Sequence, residues 1–259
     1  MFAEKARSLN IPVVCVGVRH EASPELMSLV QRFYWTGIAK IGHTIRCFRK
    51  ERVQRVVMAG KIHKTNLFLP WRYLRYLPDW RSLRFWLRRT RRDNRDDTLL
   101  LSLIDEFAAD GIHFASALDI CPELLVKTGL LTKRAPSTRE EADIAFGWEL
   151  AKEMGRLDVG QSVAIKEKAV LAVEAIEGTD KAIVRAGELC RSGNFVVVKV
   201  AKPHQDMRFD VPTIGVSTIE TMVRAGARVL AIEAGKTIVI DEKDTFALAD
   251  RHGITVVAK

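Results

Sequence analysis

Long apolar runs are what this sequence most plainly lacks. The longest near its start, Ile11 to Val18, is far short of the roughly 20 residues that a membrane-spanning helix needs. Met1 to Asn10 carries no apolar stretch of the kind found in a secretory signal, so a cytoplasmic protein is expected. Cysteine is scarce too: Cys15, Cys47, Cys121 and Cys190 are scattered, with no C-x-x-C pair and no matching histidine spacing. That pattern argues against a structural zinc site and a disulfide framework, and predicts small core residues kept reduced. The six histidines show no H-x-x-x-H or similar spacing, and His63 and His204 read as solvated loop residues. Glycine is missing where an α/β nucleotide domain needs it. Phe2 to Arg7 reads as the tail of a helix that runs directly into a strand, without the opening strand and glycine-rich turn of such domains. Ala234-Gly235-Lys236-Thr237 looks like the end of a P-loop, but Leu230 holds the upstream glycine position and a strand-like run follows, so a P-loop is excluded.

What is present is a globular composition, 47% hydrophobic and 28% charged, in 259 residues, which is enough for two domains. The net charge of +9 implies an anionic partner: nucleic acid, a phosphorylated substrate or an acidic membrane face. Charge alone does not choose among them.

Short β-branched runs alternate with helical spacing in the first part. Pro12 to Val18 reads as a buried strand, Val56 to Gly60 as a second and Ile112 to Ala115 as a third. Ile38, Ile41, Ile45 and Phe48 fall on one face of a helix, and Asp97 opens another that carries Leu99, Leu100, Leu103, Ile104 and Phe107. This alternation predicts a parallel α/β sheet. A boundary follows Thr132-Lys133, and Ser137 with Glu140 forms a capping box for a helix to about Arg156. Val163–Ile165 and Val170–Val173 read as a hairpin, Phe195–Val200 as a buried strand, and Ser217 with Glu220 as a second capping box for a helix through Val223. Strands are expected at Val229–Ile232, Thr237–Ile240 and Ile254–Val257, with a helix from Glu242 to His252 stopped by Gly253. The expectation is thus an α/β protein of two domains. Residues 1–133 would form a Rossmann-like, nucleotide-binding domain truncated at its start, with a basic aromatic arm at 66–95. Residues 134–259 would form an α/β domain carrying the chemistry.

Two stretches could do that chemistry. Lys202 to Asp210 follows a buried strand and sets Lys199, Lys202 and Arg208 beside Asp206 and Asp210. Phosphoanhydride cleavage needs that mixture, cations to offset charge on phosphate oxygens and a carboxylate to orient water or hold a divalent ion. A solvated loop with local salt bridges has the same composition. Glu174 to Asp180 places Glu174 and Glu177 at the end of an apolar strand, where carboxylates are unusual without partners. Gly178, Thr179 and Asp180 there cap a helix, whose free N–H groups also suit a phosphate. Within the first domain, Trp71 to Arg95 interleaves arginines with Trp71, Tyr73, Tyr76, Trp80, Phe85 and Trp86. Such a segment serves as an interfacial helix on anionic lipid, as a nucleic-acid surface or as a packed arm with a solvated basic face; the lipid surface is the expectation, and no nucleic-acid partner is expected.

Several stretches resemble one family in order and spacing. They are Asp158-Val159-Gly160-Gln161, Ala172 to Asp180, Val198-Lys199, Lys202 to Gly215 and Glu233-Ala234-Gly235, with weaker likeness at Val57–Gly60, Asp96–Leu100 and Leu131–Ser137. The chain resembles the LpxI-type UDP-2,3-diacylglucosamine pyrophosphatases of lipid A biosynthesis. That resemblance implies two domains with substrate held between them, a homodimer, and Mg2+-dependent attack of water on the α-phosphorus to give UMP and lipid X. It makes Gln205, Asp206, Arg208 and Asp210 the expected catalytic group, with Asp206 and Asp210 as metal ligands. Substrate contacts are expected from Glu174, Glu177, Gly178, Thr179 and Asp180, and also from Lys199, Lys202, Thr213 and Asp97. The acyl chains of such a substrate live in a membrane, which suits the arginine and aromatic arm, so a protein peripheral on the inner membrane and docked by 71–95 is expected. Family members open with a strand and glycine-rich turn that this chain lacks, which predicts a reading frame begun too late. The alternatives are an inactive binder of a nucleotide sugar or lipid and, from the arm and high pI, an RNA-associated protein.

Overall fold

The computed structural model describes residues 2–60, 77–89, 96–203 and 205–259. They divide into two compact units, Met1–Cys121 and Pro122–Lys259. The segment 122–133, expected at the tail of the first domain, falls in the second.

In the first unit α1 (Phe2–Ser8) leads into β1 (Val14–Val18), the short α2 (Leu26–Leu29) and β2 (Arg32–Thr36). Then come α3 (Ile41–Lys50), β3 (Arg55–Val57), α4 (Trp80–Arg89), α5 (Asp96–Ala108) and β4 (His113–Ala115). β1 pairs in parallel with β2, and β3 with β4, as two separate ladders rather than the single Rossmann-like sheet expected. With one ladder partner each among the described residues, these strands are half-exposed: in β1 only Gly17 is buried, and β3 is half-buried at best. The expected buried strands are therefore half-exposed ones. A small core forms where Ile45 and Phe48, one helical turn apart on α3, meet Phe107 of α5 and Ile112. Asp79 joins two helix starts, one carboxylate oxygen accepting from the His43 N–H and the other from the Ser82 N–H and hydroxyl. Burial acts against the charged form of Asp79, but these donors outweigh it and hold the carboxyl below its ordinary value. Arg81 ties α4 to α5 through Glu106 (2.6 Å) and also bonds Asp110.

The second unit is built on a mixed sheet. Its elements are β5 (Gly129–Leu130), α6 (Thr138–Arg156), β6 (Ser162–Lys166), β7 (Ala169–Val173), α7 (Thr179–Leu189), β8 (Phe195–Lys199) and β9 (Thr213–Ile214). α8 (Val216–Ala225), β10 (Ala227–Ile232), β11 (Ile238–Val239), α9 (Glu242–Arg251) and β12 (Thr255–Ala258) complete it. Six strands run in the order β5-β12-β10-β8-β6-β7; β8, β10 and β12 are parallel, while β5 and β6 run against their neighbours. Period-two alternation assigns the faces. Val197, Leu230 and Val256 pack toward Ile183, Ile219, Met222 and Ala249 of α7, α8 and α9. Val196, Val198, Val229 and Val257 pack toward Ile144 and Ala151 of α6.

Local chemistry fixes the connections. The capping box forms as expected: the Glu140 N–H reaches the Ser137 hydroxyl, and the Ser137 N–H donates to the Glu140 carboxylate at 2.7 Å. The β6–β7 hairpin forms as well, turning through Glu167 and Lys168, both at positive φ (51° and 58°). Buried Asp143 holds that strained turn by accepting both of their N–H groups, at 2.9 and 2.7 Å. The second expected capping box does not form. β9 passes through Gly215 straight into α8 at Val216, so Ser217 is already inside the first turn and there is no side-chain cap.

Candidate active site

β7 runs antiparallel to β6, and β6 antiparallel to β8, so the C-terminal ends of β7, β8, β10 and β12 share one sheet edge with the start of β6. Both sequence candidates emerge there. The edge carries Glu174 after β7, Lys199 at the end of β8, Glu233 after β10, and Gln161 before β6. Ligands of open α/β sheets gather beyond such strand ends.

The loop after β8 brings the expected cations and carboxylates together in pairs. Asp206 accepts from the Arg208 Nε at 2.9 and 3.1 Å, from its Nη2 at 2.6 Å, and from its backbone N–H at 3.0 Å. The Arg208 hydrogen bonds hold the Asp206 carboxyl below its ordinary value, against a smaller opposing effect of burial. Asp210 stacks back on the same turn, its N–H donating to the Asp206 carbonyl. Lys202 Nζ lies 2.6 Å from Asp158 and 3.8 Å from Asp210. Gln205 closes the loop: its side-chain oxygen accepts from the Lys202 N–H at 2.7 Å and its amide nitrogen donates to Gln161 at 3.3 Å. Lys199 is buried and donates to the Thr213 carbonyl at 2.8 Å, fixing the far end of the loop. His204 lies outside the described residues.

The second stretch is held more unevenly. Glu174 is buried, one oxygen accepting from the Thr179 hydroxyl at 3.0 Å, while Oε2 is buried with no hydrogen-bond partner among the described residues. A buried unpaired acceptor calls for a donor. Gly160 packs against it so closely that a Cβ would stand 2.1 Å from the Glu174 carbonyl oxygen, leaving room only for glycine. Gly178, at φ 86°, begins α7. Glu177 instead turns to Arg185 at 2.6 Å; its own backbone N–H does most to hold its carboxyl low, and Arg185 adds to this. Asp180 is exposed in the first turn of α7. Asp97 belongs to the other unit, in α5, and its side chain lies outside the described residues.

Four partners of this edge carry no local signal in the sequence: Lys152, Asp158, Gln161 and Glu233. The last three stand within stretches that carry the family likeness, but nothing in their immediate neighbourhood assigns them a role.

A divalent ion of the Mg2+ kind takes one or two protein carboxylates, with phosphate oxygens and water completing its shell. Asp206 and Asp210 meet that donor requirement. Both are engaged by cations, Arg208 and Lys202, with which an ion would exchange. Among the described residues no three His, Cys, Asp or Glu side chains form a metal-binding group on their own.

These features define a two-unit α/β protein with a cation and carboxylate loop at its strand ends, suited to a phosphorylated ligand. Residues 1–124 match the LpxI N-terminal domain and residues 127–257 the LpxI C-terminal domain. The chain is 34% identical over 231 residues, 85% of its own length and 80% of the relative's, to the UDP-2,3-diacylglucosamine pyrophosphatase LpxI of Caulobacter vibrioides. It belongs to the LpxI family.

Proposed function

We infer that this protein hydrolyses UDP-2,3-diacylglucosamine at its pyrophosphate, giving UMP and 2,3-diacylglucosamine 1-phosphate (lipid X) in lipid A biosynthesis. Family membership along both units, with the loop from Lys202 to Asp210 complete, carries this reading. In the reaction, water adds to the α-phosphorus, the bond to the bridging oxygen breaks, and that oxygen leaves with the β-phosphorus on the sugar. Arg208, oriented by Asp206, and Lys202 offset the charge that builds on the phosphate oxygens. Asp210, next to Lys202, is the carboxylate suited to orient the water and take its proton on a carboxylate oxygen. Gln205 keeps the loop closed around these groups. Glu174 Oε2, buried and unpaired among the described residues, suits a hydroxyl or N–H of the nucleotide or sugar. Mg2+, held by Asp206 and Asp210, would neutralise phosphate charge.

The acylated product and substrate belong in a membrane, and α4 offers a surface for one. Trp80, Leu83 and Leu87 recur at i, i+3 and i+7 and are exposed, with Arg84 and Arg88 exposed alongside. Arginine flanking exposed tryptophan and leucine suits an anionic inner leaflet. The rest of the expected arm, 66–76 and 90–95, lies outside the described residues. Among the described residues no helix is long and apolar enough to cross a membrane. A homodimer remains part of the proposal on family grounds.

Hydrolysis in 18O-labelled water tests the chemistry. Label in UMP supports attack at the α-phosphorus; label in the lipid product contradicts it.

A further inference from the structure

We propose that Lys152 and Glu233 are positioning residues for this reaction, an ion pair that grips Ala201 and so sets the loop carrying Gln205, Asp206, Arg208 and Asp210. The assignment rests on the function proposed above. Ala201 lies at the root of that loop, two residues past the buried end of β8, and it is wholly buried. Both of its backbone groups are taken by side chains from elsewhere in the unit. Its N–H donates to Glu233 Oε2 at 2.8 Å, and its carbonyl accepts from Lys152 Nζ at 3.0 Å. Lys152 and Glu233 close the ring between them at 2.5 Å. The other Glu233 oxygen accepts from Lys236 at 3.0 Å.

α6 brings more than Lys152 to this junction. One turn on, Gly155 lets the helix approach so closely that a Cβ would meet the Lys202 Cα at 3.3 Å. Just past the helix, Asp158 bonds the Lys202 ammonium. Ala201 and Lys202 are therefore held from one side by α6 and from the other by the residue following β10. None of these groups is needed to close the sheet itself, whose ladder is complete through Lys199. A buried glutamate and a partly exposed lysine that together hydrogen-bond the N–H and the carbonyl of one residue at a loop root fix the direction in which the loop leaves. Displacing catalytic groups by about 1 Å from a distance costs on the order of 100-fold in rate.

The test is steady-state UMP release by the full chain and by Lys152→Met, Lys152→Arg, Glu233→Gln and the Lys152→Met/Glu233→Gln double variant, well below their melting temperatures. Hydrogen exchange at the Ala201 amide is read on the same samples. The expected result is a fall in kcat of about 100-fold with little change in KM. Lys152→Arg should recover part of it, and the double variant should lose no more than the worse single one. Exchange at Ala201 should speed up in Glu233→Gln. Should Lys152→Met not fold, Glu233→Gln keeps the shape and one acceptor and remains decisive. Folded variants with wild-type kcat, or a raised KM at unchanged kcat, overturn the positioning role while leaving the function intact. A wild-type chain that releases no UMP overturns the function, and the positioning role with it.

Discussion

Arg208 closes on Asp206 from two residues away, its Nε 2.9 Å from one carboxylate oxygen and its Nη2 2.6 Å from the other. The fork geometry aligns the guanidinium, and the guanidinium holds the carboxylate charged. Asp206→Asn should therefore lower turnover by about 100-fold or more, while the partly exposed pair contributes about 1 kcal/mol or less to stability. Paired kinetic and thermal-melting measurements check this; a large loss of stability with unchanged turnover would make the pair structural.

Glu233 predicts how stability responds to acid. Burial acts against its charged form, but Lys152, Lys236 and the Ala201 N–H outweigh that and lower its pKa. A glutamate in the unfolded chain titrates near about 4.3. A lowered folded value means the stabilisation is fully present above that pH and is lost as pH falls through the lower folded value. The melting temperature should show a steep loss below about pH 4, and Glu233→Gln should flatten part of that loss. Glu233→Ala, which leaves the buried Ala201 N–H unpaired and the partly exposed Lys152 without its carboxylate, should cost about 1–3 kcal/mol at neutral pH. Identical acid profiles in wild type and Glu233→Gln would contradict the assignment.

Gly160 gives a steric prediction. An added Cβ would stand 2.1 Å from the Glu174 carbonyl oxygen, which forces apart the end of β7 and the start of β6. Gly160→Ala should destabilise the protein by about 1–3 kcal/mol. It should also impair turnover in the fraction that stays folded, because it moves Glu174 and, through Gln161, Gln205. Urea unfolding and activity on one preparation measure both.

Much of this was legible in local patterns, and the exceptions have physical causes. Ser137 with Glu140, and the alternation of Val196, Val197 and Val198, encode their structures in a few residues. Arg32-Phe33-Tyr34-Trp35-Thr36 does not look like a buried strand, and it is none: it is a half-exposed partner of β1 that only the ladder reveals. Ser217 and Glu220 have the spacing of a capping box, yet the helix is set one residue earlier by its junction with β9. The loop's own pair, Asp206 with Arg208, lies within the motif itself. Its outside supports do not: Lys152 and Glu233 are 81 residues apart, and Asp158 and Lys202 are 44 apart. Such pairings come from the order of strands in the sheet, which no spacing rule states.

The exposed face of α4 predicts a salt-sensitive membrane contact. Arg84→Gln with Arg88→Gln should weaken binding to vesicles rich in anionic phospholipid, by about 1 kcal/mol per arginine. Turnover of detergent-dispersed substrate should stay unchanged. Vesicle sedimentation checks the first and UMP release the second; undiminished vesicle binding would remove α4 from the interface.

The most direct measurement is UMP release from UDP-2,3-diacylglucosamine by this chain with Mg2+, repeated with a chelator and with Asp206→Ala and Asp210→Ala. The account predicts UMP from the wild-type chain with Mg2+, little with chelator, and the loss of most turnover in both variants without loss of fold. UMP release by both folded variants at the wild-type rate, or none from the wild-type chain, would contradict it.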